Sequence, residues 1–314
     1  MSRTLPALLL GLATLTTAFG QTNTFYVTRT VAGVFPMGDG GPATAALLDE
    51  PLGMVVDASG NLYIADHLNG VIRKVTPDGR ISTVAGYLGD PVDVKLDSAG
   101  NLYIAESTRI LKLTPAGVLS TVAGGTDSGY SGDGGPATQA TFAGIWSIAF
   151  DSAGNLFISD SDNNRIRKVA RDGTVSTVVG TRTGGLGGDG GLATAASLRS
   201  PLGIAFDLSG NLFIADYENW RVRKVTPAGI ISTIGGGPTQ MIDTAASPDG
   251  PATKVPLVPR GIAVDQSGRV YITEHYYTYM YDQNNAEDFK RGAMFEEAAA
   301  QYLADGTLLK IPLC

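Results

Sequence analysis

One unit, written four times with small changes, constrains this chain more than any other feature. PLGMVVDASGNLYIADHLNGVIRKVTPDGRISTVAG at 51–86 returns as PVDVKLDSAGNLYIAESTRILKLTPAGVLSTVAG at 91–124 and as IWSIAFDSAGNLFISDSDNNRIRKVARDGTVSTVVG at 145–180. It appears again as PLGIAFDLSGNLFIADYENWRVRKVTPAGIISTIGG at 201–236, and RGIAVDQSGRVYITE at 260–274 begins a fifth copy. Self-similarity of this length marks stacked supersecondary units. Within a copy, apolar or alternating runs such as Met54–Val56, Leu62–Ala65, Val71–Val75 and Ile81–Val84 are separated by turn clusters, giving a four-stranded antiparallel meander. One such sheet cannot bury both faces, and radial packing of several around an axis is the solution that can. The expectation is an all-β propeller. The 41 glycines and the 17% share of charged residues fit many turns better than long solvated helices.

The fifth copy supplies strands at Ile262–Val264, Val270–Thr273 and Leu308–Ile311. FYVTRTVAG at 25–33 matches the fourth-strand run ISTVAG. An N-terminal strand is therefore expected to complete the last blade and close the ring, with five blades counted. Between them, HYYTYMYDQNNAEDFKRGAMFEEAAAQYLADGT replaces a short turn, an insertion at about 275–306. A helix is expected over 286–303, with Asn285 as N-cap, as a lid, a partner surface or a brace on the blade side.

The phrases Pro-x-Gly-Ile-Ala-Val-Asp, Gly-Asn-Leu-Tyr-Ile-Ala-Asp and Arg-Ile-Arg-Lys-Val resemble those of the NHL-repeat family of β-propellers, over nearly all of the chain after its first residues. GDGGPATAALL at 38–48 and SGDGGPATQATF at 131–142 look like interblade phrases of secreted bacterial members. Family propellers are often six-bladed. The resemblance also implies one catalytic precedent, propeller lyases that act on peptidyl-hydroxyglycine through three zinc-bound histidines; this chain has two histidines in all.

Residues 1–20, MSRTLPALLLGLATLTTAFG, combine Arg3, an apolar stretch of about 15 residues and small residues at Ala18 and Gly20, the pattern of a secretory signal peptide. A single domain over 21–314 follows, secreted or periplasmic, without a membrane span after cleavage. The formal charge of −7 gives no footprint for a phosphate backbone, so nucleic acid is not an expected partner. Arg-Lys pairs recur on third strands and read as solvated outer positions. The lone Cys314 identifies no redox compartment. The Gly-Asp-Gly-Gly phrases lack the ending and context of a phosphate loop and read as turns leading into a short helical turn.

Candidate site residues fall in three groups. Second strands end in Asp66, Glu106, Asp160, Asp216 and Glu274, a ring of carboxylates that either binds ligands or is spent on its own turns and on the nearby Arg73, Arg165 or Arg221. His67 and His275 follow two of these carboxylates, at the position filled elsewhere by Ser107, Ser161 and Tyr217, and form the candidate metal pair. Asp93 and Lys95 share one side of the second copy's inner strand, as a ligand contact or an internal ion pair. In the insertion, Tyr276 and Tyr277 are candidate contacts on a face suited to rigid aromatic recognition. The expected function is non-catalytic binding of a protein, peptide or glycan on the face bearing the second-to-third strand turns, with no cofactor. The competing class is a metal-assisted lyase or lactone hydrolase using a divalent metal at His67 and His275.

Overall fold

A computed structural model describes residues 25–26, 37–237, 250–254, 257–275, 297–302 and 307–312. The strands are β1 (Phe25–Tyr26), β2 (Pro51–Val56), β3 (Leu62–Asp66), β4 (Val71–Val75), β5 (Ile81–Ala85), β6 (Asp93–Leu96), β7 (Leu102–Ala105), β8 (Arg109–Leu113) and β9 (Val118–Gly124). They continue as β10 (Ile145–Phe150), β11 (Leu156–Asp160), β12 (Arg165–Val169), β13 (Val175–Val179), β14 (Pro201–Phe206), β15 (Leu212–Asp216), β16 (Arg221–Val225) and β17 (Ile231–Gly235). Last come β18 (Gly250–Pro251), β19 (Pro259–Val264), β20 (Val270–His275), β21 (Glu297–Tyr302) and β22 (Thr307–Pro312). Each repeat is an antiparallel meander: β2-β3-β4-β5, β6-β7-β8-β9, β10-β11-β12-β13 and β14-β15-β16-β17 are four blades of an all-β propeller, and β19-β20-β21-β22 is a fifth, partly described sheet.

Local chemistry explains the meander. The turn between first and second strands is nucleated by an aspartate whose carboxylate accepts backbone N–H bonds two and four residues on, as Asp57 does from Ser59 and Asn61 at 2.9 and 2.8 Å. Gly60 follows at φ +79°, a conformation that a Cβ disfavours. Each Pro-Ala-Thr phrase starts a 3-10 turn, at Ala43–Ala45, Ala137–Gln139 and Ala252–Lys254.

The core lies between blades. Ile148 packs with Ala105 and Ile110 of the preceding blade, and Ile204 with Ile166 and Val179. Burying such a side chain contributes roughly 1.5–3 kcal/mol. Met54 holds the corresponding place in β2, and Val56 the place of Phe150 and Phe206, yet they are 61% and 59% exposed. Inner strands pack β2 on β6, β6 on β10, β10 on β14 and β14 on β19. Blade 1 and the fifth sheet are thus the two ends of an arc among the described residues.

This corrects the expected closure. Phe25 and Tyr26 pair with Leu119 and Val118 of β9, on the outer edge of blade 2. The fifth sheet takes its third strand, β21, from the insertion, which moves the expected third strand Leu308–Ile311 to the fourth place as β22, with β18 paired on its outer edge. Residues 297–302 are accordingly strand where a helix was expected: the Ala-rich run lies between two partner strands, and ladder hydrogen bonds on both sides outweigh its helical propensity. The rest of the expected helix, residues 27–33 and the leader lie outside the described residues. No helix among the described residues is long and apolar enough to cross a membrane.

Candidate functional site

The blade-end carboxylates come first, because the repeat fixes them. Asp66 accepts from the Asp49 N–H at 2.8 Å and from the Asn69 amide, and lies 3.6 Å from a guanidinium nitrogen of Arg73. Asp160 repeats this with the Ala143 N–H at 2.8 Å, Asn163 at 2.8 Å and Arg167 at 3.4 Å. Asp216 does so with the Arg199 N–H at 2.7 Å, Asn219 at 2.8 Å and Arg223 at 3.2 Å. All three aspartates and all three arginines are fully buried. Each arginine also binds the aspartate of a Gly-Asp-Gly-Gly phrase: Arg73 to Asp39 at 2.8 Å, Arg167 to Asp133 at 2.7 Å and Arg223 to Asp189 at 2.8 Å. The guanidinium thus clasps the interblade loop to the blade. Burial pushes the Asp160 and Asp216 carboxyls up to about 6, against the hydrogen bonds and guanidinium that favour their ionised forms.

The arginines expected at solvated positions are therefore core groups. The partners are Arg167 and Arg223; Arg165 instead donates to the Asn163 carbonyl and lies over the Tyr130 ring, and Arg221 donates to the Asn219 and Trp220 carbonyls. The pairing is set by register, since Arg73, Arg167 and Arg223 occupy the same third position of their strands.

Blade 2 is built otherwise. Leu111 replaces the clasp arginine, and Glu106 accepts from the Gly89 N–H at 2.9 Å and pairs with Arg109. Asp93 pairs with Lys95 at 2.5 Å while its other oxygen accepts from the Ser147 hydroxyl and the Ile148 N–H, each at 3.0 Å, joining inner strands across a blade boundary. In blades 1 and 4 the same position is glycine: a Cβ on Gly203 would come within 2.6 Å of the Arg260 carbonyl oxygen.

On the face carrying the second-to-third strand turns, the axis opens into a cavity of about 440 Å³. Two repeat positions line it. The residue after each blade-end carboxylate contributes His67, Ser107, Ser161 and Tyr217, and the residue entering the inner strand contributes Val92, Trp146, Leu202 and Arg260. Asp90, Asp162 and Glu218 complete the wall. Asp90 accepts from the Ser107 hydroxyl, and Glu218 pairs with Arg199 at 2.8 Å. The Arg260 guanidinium lies 5.1 Å from the Trp146 ring centre and 5.9 Å from that of Tyr217. Among the described residues no carboxylate pairs with it, and its buried Nε has no hydrogen-bond partner. His67 Nδ1 is 3.3 Å from the Pro91 carbonyl oxygen. The side chains of Glu274, His275, Tyr276 and Tyr277 lie outside the described residues, and among those described no three His, Cys, Asp or Glu side chains form a metal-binding group.

Of the sequence candidates, the structure places His67 in the cup and Asp66, Asp93, Lys95, Glu106, Asp160 and Asp216 in internal networks. Trp146, Asp162 and Arg260 were missed. The usable signal was variation: Trp and Arg break an otherwise apolar series at one repeat position.

A family model for the teneurin NHL domain matches residues 184–253, which contain blade 4. The fold agrees with solved propellers, among them a virginiamycin B lyase from Staphylococcus aureus, 14% identical with a TM-score of 0.51 over 84% of each chain. The chain is an NHL-repeat β-propeller. A gluconolactonase from Xanthomonas campestris has a TM-score of 0.56 at 12% identity, covering 84% of this NHL propeller and 76% of that chain. Mouse Teneurin-4 is 30% identical over 231 residues and Drosophila melanogaster Teneurin-m 28% over 229. Each alignment covers 60% of this chain and 8% of the relative, so the NHL propeller spans a small part of the curated relatives it matches.

Proposed function

We propose that this NHL propeller is a secreted or periplasmic recognition module, residues 21–314 after loss of a leader, that holds a protein, peptide or glycan ligand in the axial cup. One observation carries the reading. The side chains that repeat from blade to blade are consumed by the fold, whereas the cup is walled by side chains that differ between blades, with two aromatic rings, a cation that no carboxylate pairs among the described residues, and hydroxyls. A rigid frame with variable groups at one mouth is how a repeat fold carries specificity. Binding is the proposed activity, and no cofactor is required for it.

The test uses Trp146 as reporter. Trp146 and Trp220 are the two tryptophans, so in a Trp220→Phe background the cup's emission is read alone against arrayed peptides and oligosaccharides. A saturable change that Tyr217→Ala weakens supports the reading; ligands whose binding ignores both cup aromatics contradict it. The competing reading, a metal-assisted lyase or lactone hydrolase, draws on His67 in the cup wall. Stoichiometric zinc, manganese or iron in the purified chain, lost in a His67→Ala, His275→Ala variant, would replace the binding reading with it.

A further inference from the structure

Resting on that reading, we infer that the cup recognises a carboxylate-bearing sugar, a uronic acid unit, with Arg260 taking the carboxylate and Asp162 the ring hydroxyls. Two of the three acidic groups in the wall are already engaged, Asp90 by Ser107 and Glu218 by Arg199. Arg260 and Asp162 are not. Asp162 is exposed at the cavity mouth beside Gly144, where an added Cβ would lie 2.6 Å from its carboxyl carbon, and no hydrogen bond or ion pair engages its carboxylate among the described residues. The two unpaired groups line one cavity without forming an ion pair with each other. A cation and an anion left apart in this way suit a ligand that brings an anion to one and hydrogen-bond donors to the other.

The setting of Arg260 narrows the anion. The guanidinium lies near the Trp146 and Tyr217 rings with its Nε buried, and its terminal Nη N–H groups are the pair that can meet a carboxylate bidentately. Asp162, an acceptor with two oxygens, matches a vicinal pair of hydroxyls. Aromatic rings supply flat apolar area for the C–H face of a sugar, and about 440 Å³ lies within the range of small-ligand sites.

The experiment is a calorimetric titration of the full chain with four probes: tri-galacturonic acid, its methyl ester, neutral galactotriose and the zwitterionic dipeptide Ala-Ala. The uronide is expected to bind at least tenfold tighter than the ester or the neutral sugar. Arg260→Gln should erase that preference by weakening the uronide at least tenfold more than the ester, Arg260→Lys should restore part of it, and Asp162→Asn should weaken uronide and ester alike. A thermal melt of each variant verifies that it folds. Equal affinity for uronide and neutral sugar, preference for the dipeptide, or no binding of the uronide would each overturn the inference. If another glycan or a peptide binds through Tyr217 and ignores Arg260→Gln, the recognition reading stands and the carboxylate inference fails.

Discussion

The clasps and the cup use the same residue types to opposite ends. Arg167, sealed between Asp160 and Asp133, has its charge answered twice by this chain. Arg260 lies near two aromatic rings at a cavity and pairs with no carboxylate among the described residues. Desolvating a guanidinium is costly, and a buried one persists when its partners are built in. The clasp meets that condition, so it recurs in blades 1, 3 and 4. The cup leaves the condition open, so it does not recur. Repetition therefore marks structure in this propeller, and departure from it marks the place for a ligand.

The largest break in this comparison should come from removing a clasp. Arg223→Leu leaves Asp216 as an uncompensated buried charge and should cost about 3–5 kcal/mol, read from urea unfolding. Leucine alone does not reproduce blade 2, where Leu111 goes with a different carboxylate, Glu106, and its own Arg109. A smaller effect joins the two regions: Gly203→Ala pushes a Cβ against the Arg260 backbone and should cost about 1–3 kcal/mol. It should also disturb the cup, lowering Trp146 emission changes on ligand addition.

A third effect is one of pH. Asp160 and Asp216 have folded values raised from 3.8 to about 6, so the folded state holds protons that the unfolded state has released. Their contribution is fully present below about 4 and is lost as pH rises through about 6. The thermal midpoint should climb when pH is lowered from 7 to 5, with each kcal/mol worth about 2–4 °C. Asp160→Asn with Asp216→Asn should flatten that rise, and an unchanged slope would place the titrating groups elsewhere.

Much of the frame was legible because alternation of apolar residues and Asp-x-x-Gly-Asn turns both point to the same meander. The clasps were legible too, in a form easily passed over. Asp39 to Arg73, Asp133 to Arg167 and Asp189 to Arg223 each span 34 residues, and blade 2 lacks both members together. Reading Arg-Ile-Arg-Lys-Val by polarity put these arginines in solvent, because polarity says nothing about a partner supplied by a distant loop. The N-terminal strand was misplaced because its match to a fourth-strand run says nothing about which blade edge it joins: Phe25–Tyr26 pair with β9, and the insertion supplies the fifth sheet's third strand. In the cup, the series His67, Ser107, Ser161, Tyr217 was visible as one repeat position, while the Trp146 and Arg260 series was hidden among apolar strand starts.

The most direct measurement sets Arg167→Gln beside Arg260→Gln in matched urea unfolding at pH 7. The account predicts a loss of several kcal/mol for Arg167→Gln and a change within about 0.5 kcal/mol for Arg260→Gln. Equal losses would contradict it, because Arg260 would then belong to the frame and the cup would have no side chain held in reserve for a ligand.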